Sequence, residues 1–336
     1  MIRRSGAGVR EAGGRGPGAG RLMLAALLLA PPAAAAQTTH LLVVTGVSGD
    51  AAHAQKFHDL ATRFIDAARQ TQGVADANLT YLAEKVEDDP QRISGRSTRE
   101  SIEQAFADIA GRAAPDDTIF VLLIGHGSSP DPRSGAFNLP GPDLTSEDYA
   151  RLLGRWSTQR VVFVNTASAS GAFLPAVAGP GRVVVTATRT GRENLETRFP
   201  EYFVEAYEAA AADRDRSGRV SVLEAFDYAR ALVEKAFEQE GHLLTEHATL
   251  DDGHEGTLAS TVFLASGSAQ AAARYDLTDP EAARLLAERD RLEQQVAGLR
   301  LRKDGMDPDQ YARELEKLLL ALAQTSRALQ AYEAER

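Results

Sequence analysis

Thr118-Ile-Phe-Val-Leu-Leu-Ile-Gly-His-Gly-Ser128 decides the fold of this chain. Six apolar residues in succession, opened by the Asp116-Asp117 turn and closed by a glycine, are too few for a helix and show no polar face. They read as a strand buried on both sides. Similar runs flank it: His40 to Val47 (HLLVVTGV), Leu79 to Leu82, Gln159 to Asn165 (QRVVFVN) and Arg182 to Thr188. A further run, Ser260 to Ser266, is expected to close the set as a last strand. Between the strands, apolar residues fall at helical spacing. Phe57, Leu60, Ala61, Phe64, Ile65 and Ala68 share one helical face. Ile102, Ala105, Phe106 and Ile109 share another, behind a cap at Ser97 or Thr98. Leu144 to Leu153 reads as a short helix. Strands alternating with helices predict a three-layer α/β/α sandwich around a mainly parallel sheet. Sites in such sheets lie beyond the carboxyl ends of the strands, which directs attention to the residues after Ile124, Val164 and Ala187.

The chain has 336 residues, a formal net charge of -10 and no cysteine. The negative balance disfavours nucleic acid as a partner. Without cysteine there is no disulfide, thiolate metal site or thiol nucleophile. Arg3, Arg4, Arg10, Arg15 and Arg21 precede a short apolar core, Leu22 to Ala30, and small residues at Ala34 to Ala36. This is the pattern of a cleaved export signal over residues 1–36, so a periplasmic or secreted location is expected. The core is short of the roughly 20 residues that cross a bilayer, and no later segment suits a span.

Two strand ends carry candidate chemistry. His126 stands between Gly125 and Gly127, where the backbone can turn sharply and leave the imidazole open. Arg160-Val-Val-Phe-Val-Asn-Thr-Ala-Ser-Ala-Ser-Gly-Ala-Phe-Leu174 ends the next strand in small residues that include Ser168 and Ser170. A hydroxyl beside an imidazole is the minimum for nucleophilic catalysis, and N–H groups of such a turn suit an oxyanion. The same residues also serve simply to fill a crowded strand-to-helix turn.

Taken together, the strings FVLLIGHG and VVFVNTASASG resemble the caspase–legumain clan of cysteine peptidases, closer to its bacterial legumain-like branch. There an apolar strand ends in His-Gly, and a following strand ends in Ala-Cys-x-Ser-Gly. The resemblance covers roughly residues 39 to 265 and implies a caspase-like sheet. It implies His126 as the catalytic histidine, Ser168 at the nucleophile position, and the N–H groups of Gly127 and Ser168 as oxyanion donors. The departure is the missing cysteine. A thiol ionises near pH 8.5 and attacks readily, whereas a serine hydroxyl needs an aligned base, usually backed by a carboxylate. No Asp or Glu identifies itself in the sequence as that third member. A peptidase-fold protein that binds a peptide or protein segment but turns it over poorly is therefore expected ahead of a working serine hydrolase. A structural envelope protein associating through its C-terminal helices is the remaining alternative.

Asp213-Arg-Asp-Arg-Ser-Gly-Arg-Val-Ser-Val-Leu-Glu224 matches the EF-hand loop template. Asp213, Asp215 and Ser217 occupy its first, third and fifth positions, and Gly218 its turn. Arg219 offers a carbonyl, Ser221 stands ninth, and Glu224 supplies the closing carboxylate. A structural calcium ion is expected here, with flanking helices near Tyr202 to Ala212 and Val222 to Glu238. Three arginines in the loop and the lack of a second loop point to affinity on the order of 0.1 to 1 mM. Asp251-Asp252-Gly253-His254-Glu255 is acidic but fits no template. Gly46 to Asp50 lacks the lysine of a phosphate loop. His53 and His58 read as rim or surface residues.

Gly267 to Ala273 is small and polar, and residues 267–279 read as a linker. Beyond it Leu285, Leu292, Val296 and Leu299, then Tyr311, Leu315, Leu318, Leu322 and Leu329, follow helical spacing on either side of Lys303-Asp304-Gly305. Residues 280–336 are expected to form a helical hairpin, either clasped on the core or pairing in a homodimer.

Overall fold

The computed structural model describes residues 38–115, 117–131, 134–264, 275, 278–300 and 302–334. The expected export signal and most of the expected linker lie outside these residues. The core is a seven-stranded sheet built from β1 (Thr39–Thr45), β2 (Leu79–Ala83), β3 (Gly95–Arg96), β4 (Thr118–Ile124), β8 (Arg160–Asn165), β9 (Arg182–Thr186) and β10 (Thr249–Asp251), in the order β10-β9-β8-β4-β1-β2-β3. All neighbours are parallel except β10, which runs antiparallel to β9. β5 (Gly127–Asp131), β6 (Ser134–Phe137) and β7 (Leu144–Thr145) form a small second sheet beyond the end of β4.

Both faces of the large sheet are covered, as its unbroken apolar strands require. Leu41, Val43, Phe120, Leu122, Val162 and Val164 pack under α1 (Ala51–Gln70), α5 (Phe199–Ala206) and α6 (Val222–Gln239). The alternate residues Leu42, Val44, Ile119, Val121, Leu123 and Phe163 meet α2 (Arg99–Arg112) and α3 (Ser146–Leu153) on the other face. Side chains alternate across a strand, so one run feeds two cores. The three-layer α/β/α sandwich with a mainly parallel sheet is thus present. α4 (Leu174–Val177) is a single turn after β8.

Three local expectations are corrected. Ser260 to Leu264, the described part of the expected last strand, is not a sheet strand: residues Ala259–Thr261 form a 3-10 turn, and Phe263 makes one antiparallel bridge to Ser221, while Ala265 and Ser266 lie outside the described residues. Its apolar residues are used to cover α6, and Thr249–Asp251 takes the sheet edge instead. Leu144–Leu153 is not helical throughout, because Leu144–Thr145 pairs with β6 and Thr145 then caps α3 through a full capping box. The helix before the acidic loop stops at Ala206, and residues Ala210–Ala212 form a separate 3-10 turn.

C-terminal helices α7 (Pro280–Arg300) and α8 (Pro308–Ala334) pack against each other and against the core. Arg219, buried in the acidic loop, pairs with Glu293 of α7 and lies 3.8 Å over the Phe263 ring. Ser326 Oγ of α8 donates to Ser217 O at 2.9 Å, and Arg300 of α7 donates to Ser260 O at 3.1 Å.

Candidate functional site

The sheet order places the change of winding direction between β1 and β4, with β8 next to β4. Such a switch point leaves a crevice at the carboxyl ends of the strands. Four segments line it: α1, the β4–β5 turn bearing His126, the turn after β8 bearing Ser168, and the segment that leads into α5.

Glycines permit the close approaches that assemble it. Gly46 N–H donates to Ile124 O at 2.9 Å, and a Cβ on Gly46 would stand 2.5 Å from Asn138 O. A Cβ on Gly127 would meet Ser168 O at 2.3 Å. Only glycine lets β5 start directly against the Ser168 turn. That turn is sharp: Ala169 takes a left-handed φ of 56°, its N–H donating to Glu193 O at 2.8 Å. A non-glycine residue there marks a backbone held by its surroundings.

His126 and Ser168 line one small cavity with Lys56, Phe57, Ile124, Gly125, Glu196, Thr197 and Pro200. Its volume is about 10 Å³, near the minimum for a single water. The Ser168 hydroxyl does not bond to His126. It accepts from Gly127 N–H at 3.2 Å and donates to Gly127 O at 3.0 Å. The Gly127 N–H, an expected oxyanion donor, is thus held by the hydroxyl at the nucleophile position. Ser170 is fully buried, bonded to Thr188 Oγ1 at 3.3 Å and accepting from Thr188 N–H at 3.2 Å, and takes no part in the cavity.

His126 is flanked by His53, expected at the rim, and by Phe57 of the apolar helix face. Its ring meets His53 at 4.8 Å between centroids and Phe57 at 5.2 Å, both nearly edge-on. His53 Nδ1 lies 2.8 Å from Asp50 Oδ2, and its Nε2 lies 3.4 Å from Glu196 Oε2. Two carboxylates, one facing each ring nitrogen, favour the protonated ring over the neutral one. The hydrogen bond to Asp50 accordingly raises the His53 pKa above its ordinary 6.5, against some desolvation. The His53 backbone N–H, with its ring, holds the Asp50 carboxyl below the usual range. Lys56 bridges Glu196 and Glu201, each at 2.8 Å, and keeps the Glu196 carboxyl low. Only the part within α1 was signalled by sequence: Asp50 is its N-cap, and His53 and Phe57 lie four apart on one face, whereas the approach to His126 is tertiary.

Three of the expected cation ligands converge. Carboxylate oxygens of Asp213, Asp215 and Glu224 all lie within 4.8 Å of one another. Ser217 Oγ donates to Arg219 O at 3.1 Å, so the fifth side chain and the seventh carbonyl meet each other. Gly218 has φ 84°, the left-handed turn the template needs. Ser221 caps α6 and bonds Glu224 Oε2 at 2.7 Å, in a capping box with the carboxylate that closes the loop. Burial raises the Asp213 carboxyl to about 7, and burial followed by the Asp215 charge raises Glu224. Hard oxygen donors crowded in partial burial fit a divalent cation that would neutralise them. Asp252 instead accepts from the N–H groups of His254, Gly256 and Ala259, so the Asp251 to Glu255 turn is closed by its own backbone.

No protein-family model matches the chain, and no curated protein sequence matches it. Among solved structures, protein GSU0716 from Geobacter sulfurreducens is similar with a TM-score of 0.42 and 12% identity, over 64% of this chain and 92% of that one. The Drosophila initiator caspase Dronc is similar with a TM-score of 0.42 and 11% identity, over 64% and 79%. Likeness at this level concerns the arrangement of sheet and helices and assigns no residue.

Proposed function

We propose that the protein is an exported member of the caspase–legumain-like peptidases whose cleft binds a peptide or protein segment and turns it over slowly or not at all. The observation that carries the reading is the state of Ser168. Its hydroxyl shares a cavity with His126 yet is bonded both ways to Gly127. A serine needs a base in hydrogen-bond reach to attack, and here its proton goes to a carbonyl. The cavity is too small for a side chain, so a bound segment lies across its mouth. The resemblance of the two strand-end strings supports the choice of ligand class.

The test is a pair of measurements. A fluorophosphonate probe should leave Ser168 unlabelled, whereas labelling would establish the active serine hydrolase. Ser168→Cys should gain peptide cleavage, since a thiol needs less help from its base. A variant that neither cleaves nor binds peptide would overturn the reading in favour of a structural role.

The loop from Asp213 to Glu224 is proposed to hold a structural calcium ion through Asp213, Asp215, Ser217, the Arg219 carbonyl, Ser221 and Glu224. With a Kd of about 1 mM, 10 mM calcium stabilises by about 1.4 kcal/mol, which raises Tm by roughly 2 °C over chelator. Glu224→Gln should abolish that shift.

A further inference from the structure

Resting on the reading of this cleft as the substrate site, we propose that His53, clamped between Asp50 and Glu196, is the positioning residue of His126. No hydrogen bond fixes the His126 imidazole to a carboxylate among the described residues. Ring contacts fix it instead. His53 and Phe57 rise from one face of α1 and meet the ring at 4.8 and 5.2 Å, with interplanar angles of 65° and 68°. The His53 and Phe57 rings are themselves 5.9 Å apart, so three rings brace one another.

A wall can orient a neighbour only if it is itself fixed, and His53 is. Asp50 accepts from the backbone N–H groups of Ala52 and His53 at 2.9 Å while holding Nδ1 at 2.8 Å. Glu196 faces Nε2 and is itself gripped by Lys56, which Glu201 of α5 shares. The charged and titratable groups around His53 are therefore Asp50 and Lys56 from α1, Glu196 from the segment between β9 and α5, and His126 from the end of β4. In sites that use a hydroxyl, a carboxylate behind the histidine fixes its orientation. Here a second imidazole, with a carboxylate facing each of its nitrogens, stands beside the ring and does so by edge contact.

The test uses the full chain and the ring-proton resonances of His126, assigned by NMR against His126→Gln. In the wild type these resonances should carry the ring-current displacement of a fixed neighbour. His53→Ala should return them toward the position of an exposed histidine, and His53→Phe should restore most of the displacement. In the Ser168→Cys background, His53→Ala should lower kcat by about 10-fold to 100-fold, the scale of a misplaced catalytic group, with KM little changed. His126 resonances unaffected by His53→Ala overturn the proposal. If His53→Ala does not fold, Asp50→Asn serves: it keeps the ring and weakens its clamp, and unchanged His126 resonances there overturn the proposal equally. Displaced and Phe-rescued resonances in a protein that cleaves no peptide as Ser168→Cys uphold the positioning role and remove the peptidase reading. Cleavage that is indifferent to His53, with unmoved resonances, does the reverse.

Discussion

A hydroxyl that donates its one proton to a backbone carbonyl has none to give a base, and Ser168 is in that state, accepting from Gly127 N–H and donating to Gly127 O. The contact depends on Gly127. Gly127→Ala drives a Cβ to 2.3 Å from Ser168 O, a backbone atom that cannot swing aside. We expect a loss of about 1 to 3 kcal/mol by urea unfolding, the usual cost of forced overpacking, together with loss of any peptide binding. His53 yields a prediction with a sign. Its folded pKa lies above 6.5, so its clamp stabilises fully below that value and the contribution fades as pH rises through the folded midpoint. NMR titration should place the His53 midpoint above 6.5, and Asp50→Asn should lower it. A wild-type midpoint at or below 6.5 would refute the clamp.

At the level of elements, the strands were legible because their apolar runs have no polar face to confuse with a helix. Val121 and Val162 are packed on opposite faces of one sheet and both are fully covered. The strand ends at His126 and Ser168 followed from the same pattern. What escaped was tertiary in origin. Leu250 in the short edge strand lies in a polar stretch, and Val262 and Leu264 spend their apolar character on α6 rather than in the sheet. His53 joins His126 only because α1 begins at the switch point, which no local spacing encodes. Arg219 likewise has a double role: its carbonyl belongs to the loop, while its guanidinium is buried against Glu293 and Phe263. Breaking a buried pair from one side costs about 3 to 5 kcal/mol, whereas replacing both partners by apolar residues is often neutral. Arg219→Ala should therefore lower stability by that amount in urea unfolding. Arg219→Met with Glu293→Met should recover most of it. A double variant as unstable as the single one would show that Glu293 is needed by its other buried neighbour, Arg289 at 3.5 Å, more than by Arg219.

Across the whole molecule, the acidic loop is the joint between the sandwich and the C-terminal helices. On the sandwich side Ser221 bridges Phe263, and Val222 N–H donates to Val262 O at 2.9 Å. On the hairpin side α8 reaches Ser217 O, and α7 reaches Arg219 through Glu293 and Asp215 through Arg300 at 3.7 Å. Each of these loop residues is a proposed cation ligand or shares its peptide unit. A cation that fixes Asp215, Ser217 and the Arg219 carbonyl would fix the surface on which the hairpin docks. Coupling of this kind is reciprocal: whatever calcium adds to docking, docking adds to calcium affinity. Limited proteolysis should therefore cut within α7 and α8 more slowly in 10 mM calcium than in chelator, and Glu224→Gln should erase the difference. Conversely, Ser326→Ala removes a hairpin contact without touching a proposed ligand side chain, and it should weaken calcium binding by calorimetry. Calcium protection of the loop alone, with hairpin cleavage unchanged, would mean that the joint is rigid without the ion and that the two halves of the contact are independent.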